Sequence, residues 1–369
     1  MPAKLTRLTV PNRPFTDPKT GRDLWIISPE GVNSGASYMY VTQFSPDERY
    51  VFYQSTVSGS LQLHRYEIGT GVLTQVTEGP GCEVLNWNVH PAGREVFYAA
   101  GGKVWAADIE TLDARLVFDP AAHPWIGKRS DLIMFSKKGR WFSFGFKSPD
   151  GLAGIGRASC DGKDVEHVYT RPKGEGVQHV MFCNTEDEDW MSFAPAPDHQ
   201  TEWSEPRERR ARVYLLHARA GTVEPVFVQE NPLRATHEYW SPNGDRLYFH
   251  RKTHRTWVPT AICSCDRRTR AMREIYLQDT LQLGHSFCTA DERWIVTDVQ
   301  KAGDNPLLLI ETATGKATVL CWPNSTVAHG RDKYSHVHPS FSPKANYILF
   351  TSDASGFGQV YLIPRPTAE

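Results

Sequence analysis

Five histidines in this 369-residue chain have the types and spacing to do chemistry: His179, His237, His285 and the pair His336-Val-His338. Imidazole is the side chain whose charge changes near neutral pH, and it is also the commonest metal ligand. Imidazoles converging on one point can hold a divalent cation, and an imidazole beside a weak C–H or O–H acid can serve as general base. A histidine alone on a strand is more often a hydrogen-bonded structural residue. The case for function therefore rests on what brings these five together.

The positioning elements are repeats. A polar turn followed by an aromatic or β-branched strand recurs seven times: Ser45-Pro-Asp-Glu-Arg-Tyr, His90-Pro-Ala-Gly-Arg-Glu, Ser136-Lys-Lys-Gly-Arg-Trp, Thr185-Glu-Asp-Glu-Asp-Trp, Ser241-Pro-Asn-Gly-Asp-Arg, Thr289-Ala-Asp-Glu-Arg-Trp and Ser342-Pro-Lys-Ala-Asn-Tyr. A period near fifty with room for four strands is a propeller blade. Hairpin turns such as Gly69-Thr-Gly71 and Ala313-Thr-Gly315 join further strands within the repeats. The last repeat has only three strand-sized segments, and Asp23–Ser28 near the N-terminus supplies a fourth. The expectation is all-β: one seven-bladed propeller domain over residues 1–369, closed by that N-terminal strand, with an irregular insertion over 194–210.

Counted back from its repeat turn, each of the five histidines sits at an even offset, −4 or −6, on the innermost strand of blades four to seven. Equal parity predicts one face, lining the channel. With 14 histidines among 369 residues, chance would put fewer than one in such positions, so a metal-binding or acid–base constellation is expected. Two cationic runs fall toward the same rim: Pro206-Arg-Glu-Arg-Arg-Ala-Arg212, and His250-Arg-Lys-Thr-His-Arg-Thr-Trp257 with Arg251. They suggest a funnel for an anionic ligand, with Trp203 and Trp257 able to stack on sugar rings. Solvated loops and local packing of the indoles are the alternative readings.

Composition removes other classes. Lys plus Arg number 41 against 42 Asp plus Glu, a net charge of −1, which argues against a general nucleic-acid binder. The most apolar run, Pro306-Leu-Leu-Leu-Ile310, is far too short to span a bilayer. The start, Met-Pro-Ala-Lys-Leu-Thr-Arg, has no apolar signal region. Seven scattered cysteines (Cys82, Cys160, Cys183, Cys263, Cys265, Cys288, Cys321) include no Cys-x-x-Cys pair. Reduced, buried thiols and a cytoplasmic location are expected. A propeller-capped serine hydrolase is not, because Gly-x-Ser-x-Gly is absent; Gly284-His-Ser-Phe-Cys288 lacks the final glycine.

At these residues the chain resembles the oligogalacturonate lyase family of seven-bladed propellers. The stretches that carry the resemblance are Thr236-His-Glu-Tyr-Trp-Ser-Pro-Asn-Gly244, Ser335-His-Val-His-Pro-Ser-Phe-Ser-Pro343 and Leu349-Phe-Thr-Ser-Asp353, and it extends along the whole chain. It implies cleavage of short uronate oligosaccharides by β-elimination. It implies His237 as the base, Arg212 as a contact to the substrate, and a divalent metal, usually manganese, on His285, His336 and His338. Two positions depart from the family pattern. Lys333 stands where the metal motif has Gln, and Gly35-Ala36 replaces a His-Arg pair. A protonated lysine cannot ligate a metal, so Lys333 is read as reaching the substrate carboxylate directly. His179 and Arg251 are read as further substrate contacts. The expected partner is an acidic oligosaccharide, with no nucleic acid and no membrane, and the protein is expected as a monomer or simple homo-oligomer. The alternative is a propeller without catalysis, or with altered specificity, that binds another acidic saccharide.

Overall fold

The computed structural model describes residues 7–79, 81–196, 206–330 and 333–364. The repeat turns form as their residues dictate. The opening hydroxyl accepts a hydrogen bond from the backbone N–H five residues on: Ser45 from Tyr50 (2.9 Å), Ser136 from Trp141 (3.1 Å), Ser241 from Arg246 (3.1 Å) and Ser342 from Tyr347 (3.0 Å). The fourth residue of the turn then takes a positive φ: 64° at Glu48, 69° at Gly139, 74° at Gly244 and 56° at Ala345. At Gly139 a Cβ would also come within 2.6 Å of the His90 ring, so glycine meets two constraints there.

Seven antiparallel sheets result, and in five of them the strands are hydrogen-bonded in chain order. Among the described residues there is no α-helix, and therefore none long and apolar enough to cross a membrane. The fold is the all-β, seven-bladed propeller that the repeats predict. The fourth blade runs Gly176–Phe182, Trp190–Ala196, Tyr214–His217, Thr222–Pro225; the fifth Leu233–Trp240, Arg246–Thr253, Thr260–Asp266, Met272–Gln278; the sixth Leu283–Cys288, Trp294–Val299, Leu307–Glu311, Ala317–Cys321. In the seventh, Ser340–Phe341, Tyr347–Ser352 and Gln359–Pro364 are joined by the N-terminal strand Asp23–Ile26, with Trp25 opposite Leu362 and Ile26 opposite Tyr361. Two blades exceed four strands. Arg13–Thr16 adds to the seventh and Leu8–Thr9 to the first. The Asp17 carboxylate pins the N-terminal hairpin by accepting from the backbone N–H groups of Thr20 (2.8 Å) and Trp322 (2.9 Å).

The chain forms two compact units. The first comprises residues up to Val89, Ala107–Leu112 and residues from Gln282 on; the second comprises His90–Ala106 and Asp113–Leu281. The first has a core that includes Leu24, Leu309, Ile348, Phe350 and Ile363, and another around Tyr53, Tyr66, Leu349 and Leu362. The second has an aromatic core of Phe97, Phe135, Phe142, Phe144 and Phe146, and a smaller one around Val180, Phe182, Phe193 and Leu216. Each such side chain contributes about 1.5–3 kcal/mol by burial. All seven cysteines are buried and outside any disulfide, as expected.

The parity argument needs correction. The register shifts between Gln178 and Met181, between Thr236 and Tyr239, and between Leu283 and Ser286. Each shift contains one of the predicted histidines. A bulge inserts a residue, so alternation counted across it no longer reports a face. His179 (φ 53°) and His237 (φ 56°) lie in the left-handed region at their bulges. His336 and His338 precede the strand Ser340–Phe341 in irregular backbone, with His338 at φ 43°. What aims these rings is local backbone departure from the strand, a feature that recurs beside active sites.

Candidate functional site

Two clusters hold the predicted residues, one in each unit. In the first unit His285, His336 and His338 converge, and one nitrogen from each lies within 4.8 Å of the others. All three are buried, at 2%, 3% and 0% exposure. The ring centroids of His285 and His338 are 4.1 Å apart and nearly perpendicular, and Tyr38 meets both edge-on. Tyr334 stacks on His336 at 4.9 Å.

The carboxylate of Asp298, on the second strand of the sixth blade, sits behind them. It is buried, accepts from the backbone N–H of His285 at 2.6 Å, and lies 3.0 Å from His285 Nδ1. It also accepts from the backbone N–H of His338 at 3.2 Å. An ionised carboxylate only accepts, so Nδ1 of His285 donates and Nε2 carries the lone pair. Both ring nitrogens of His338 are buried with no hydrogen-bond partner, whereas the His336 ring faces the backbone of Val327. Burial and the neighbouring imidazoles push the pKa of His336 down to about 4 and that of His338 well below its ordinary value. Neutral imidazoles with inward, unpartnered nitrogens are the ligand-competent form. The residues present fit a divalent metal: three nitrogen donors, one of them backed by the Asp298 carboxylate.

In the second unit, His237 is half-buried, with its Nδ1 3.2 Å from Thr236 Oγ1 and its ring edge-on to His250 at 5.7 Å. Its neighbour Glu238 is buried at 1% exposure. Glu238 accepts from Arg212 Nε at 2.8 Å, and its other oxygen lies 3.9 Å from His179 Nδ1. Burial alone would raise the Glu238 carboxyl, but the charges of Arg212 and His179 hold it below the ordinary range. Asp131 accepts from the backbone N–H of Val180, beside His179. This cluster therefore offers an imidazole on a strained bulge beside an Arg–Glu pair matched in charge.

The clusters stand in a chain with named relatives. It is 23% identical to the oligogalacturonate lyase of Dickeya dadantii (strain 3937), over 99% of this chain and 98% of that one. It is 21% identical to the oligogalacturonide lyase of Pectobacterium atrosepticum, with the same coverage. The chain is a divergent relative of the oligogalacturonate lyases. A solved structure of an oligogalacturonate lyase in complex with manganese superposes with a TM-score of 0.86 at 20% identity, covering 99% of this chain and 98% of that one. No family model matches the chain.

Other expectations fare differently. The Lys333 ammonium, expected beside the substrate, is 2.9 Å from Asp353 and donates to the Gly356 carbonyl at 3.1 Å. Arg251 pairs with Glu274, Arg207 with Glu230 and Arg209 with Glu175. Three cations of the two runs are thus matched by carboxylates of the protein. Trp257 packs under Lys252 (3.4 Å) and Arg234 (5.0 Å), so the packing reading of this indole is the one observed. Trp203 and residues 197–205 of the insertion lie outside the described residues. Sequence reasoning missed Asp298, Glu238, Asp131 and the aromatic wall of Tyr38 and Tyr334. One signal was available: Asp298 interrupts the apolar run Trp294-Ile-Val-Thr-Asp-Val299, and a carboxylate in an inner strand requires a partner.

Proposed function

We propose that this protein is a lyase that cleaves short uronate-containing oligosaccharides by metal-assisted β-elimination. The observation that carries the reading is the group of three buried histidines whose ring nitrogens converge, in a chain that resembles oligogalacturonate lyases end to end. Elimination removes the proton at C5 of the uronate and expels the oxygen on C4. That proton is weakly acidic because the adjacent carboxylate already carries charge, so charge developing on the carboxylate needs neutralising. A divalent ion on His285, His336 and His338 would supply that positive charge. His237 would accept the C5 proton, a task to which an imidazole is suited. Arg212, oriented by Glu238, would bind the uronate carboxylate through the donors of its guanidinium fork. His179, Lys333 and Arg251 are assigned to substrate contacts. For Lys333 and Arg251 this means exchanging a carboxylate of the protein, Asp353 or Glu274, for that of the sugar.

The test is ultraviolet absorbance after mixing the protein with a panel of short uronate oligosaccharides, with manganese and with chelator. The new C4–C5 double bond is conjugated to the carboxylate and absorbs where the substrate does not. A chelator-sensitive rise with digalacturonate, or with another uronate, is the expected result. No rise across the panel from metal-loaded protein would overturn the reading in favour of a saccharide-binding propeller.

A further inference from the structure

We propose that Asp298 is the positioning residue of the histidine centre, and that position 284 is glycine in order to admit it. The inference rests on the metal-binding reading above. One carboxylate serves both ligand segments. Its Oδ2 faces His285 Nδ1 at 3.0 Å and the backbone N–H of His338 at 3.2 Å, while its Oδ1 takes the backbone N–H of His285 at 2.6 Å. The first contact selects the tautomer in which Nε2 of His285 is unprotonated. The second holds the His338 backbone, which sits at φ 43°, a conformation non-glycine residues adopt only when something fixes it. Sixth-blade and seventh-blade ligands are thereby set by a single buried side chain that touches no metal.

Gly284 is the independent sign. A Cβ there would lie 2.4 Å from Asp298 Oδ1 and 2.7 Å from Gln300 Cβ. Any side chain at 284 would drive the carboxylate or its strand away. Its φ lies outside the left-handed region that favours glycine. Close approach to the carboxylate and its strand is thus the reason left for the absence of a side chain.

The experiment titrates manganese(II) chloride into chelator-stripped full-length protein, following free ion by electron paramagnetic resonance. Asp298→Asn keeps the shape but turns an amide N–H₂ toward donors, and it is expected to weaken manganese binding about 10–100-fold. Gly284→Ala keeps all three ligands and the carboxylate and should weaken binding in the same direction. The ¹⁵N spectrum of the metal-free wild type should show His285 protonated at Nδ1, a readout that needs no variant to fold. Wild-type affinity in both variants, or His285 protonated at Nε2, overturns the inference. A wild type that takes up no manganese overturns the metal reading instead, so the two failures are distinct.

Discussion

The unpartnered nitrogens of His338 make an unusual demand on stability. In the metal-free protein a fully buried imidazole with no hydrogen bond costs about 1–3 kcal/mol. Replacing it by leucine removes that cost. The change forfeits edge-on contacts to Tyr38 (4.7 Å) and His285 (4.1 Å), about 0.5–1.5 kcal/mol, and puts a less tolerant residue at a positive φ. These terms nearly cancel. In chelator, His338→Leu should therefore melt within about 1 °C of wild type, where an ordinary core truncation costs 2–5 kcal/mol, roughly 3–6 °C at this length. Metal should separate them. At about one hundred times its dissociation constant a ligand adds about 2.7 kcal/mol. With about 2.1 cal/mol/K of unfolding entropy per residue, that raises the wild-type melting temperature about 3–4 °C and leaves the variant unmoved. Scanning calorimetry with chelator and with manganese measures all four melting points. A variant that loses several degrees in chelator, or a wild type indifferent to manganese, refutes the argument that these nitrogens are reserved for an ion.

Three further expectations are independent of that one. His237→Ala should lower elimination turnover by about 10²–10⁴-fold while manganese stoichiometry stays at the wild-type value; turnover unchanged on the true substrate removes His237 as base. Glu238→Leu strands the Arg212 guanidinium in a buried site and should cost about 3–5 kcal/mol in urea unfolding, whereas Arg212→Met/Glu238→Leu recovers most of it; strictly additive losses would mean the pair is not coupled. His64, fully buried on the first blade with Nδ1 3.0 Å from the Gln62 carbonyl, has its pKa lowered by burial from 6.5 to about 4. Because the folded value lies below the unfolded one, its contribution is complete above pH 6.5 and is lost as pH falls from 6.5 through 4, about 3 kcal/mol in all. Urea midpoints between pH 7.5 and pH 4.5 should fall less steeply in His64→Leu than in wild type.

The architecture was legible because its causes are local. A hydroxyl five residues before a strand, a residue that tolerates positive φ in fourth place and an aromatic strand after it recur in register, and each acts within a dozen residues. The closing strand was legible for the same reason: Asp17 and Gly21 mark a hairpin, and the last repeat lacked a strand. The five histidines were found by a parity count that the bulges at 179, 237 and 285 invalidate. What carried the count was spacing, since each bulge falls at a similar distance from its turn. The partners were not legible. Asp298 lies 13 residues from His285 and 40 from His338 in sequence, and only strand register brings them together. Charge pairing escaped too, because Arg251–Glu274 joins strands whose register no periodicity fixes.

Both clusters share one device, a buried carboxylate behind a basic group: Asp298 behind His285, Glu238 behind Arg212. Its consequence differs between them. Arg212 and Glu238 cancel, so that pair offers a uronate directed hydrogen bonds and no net charge. Three neutral imidazoles leave a divalent ion its full charge, and Asp298 offsets only half of it. Lys333, Arg251, Arg207 and Arg209 are each matched by a carboxylate of the protein. Among the lysine and arginines assigned to the substrate, each is offset by a protein carboxylate, so the positive charge added for an acidic sugar in the proposed reaction is the ion's. Removing the ion should cost selectivity for uronates over neutral oligosaccharides as well as rate, and substrate binding measured in chelator should lose its preference for the charged sugar. Retention of that preference without metal would move the recognition of charge to the arginines and lysine, and would require them to release their carboxylates.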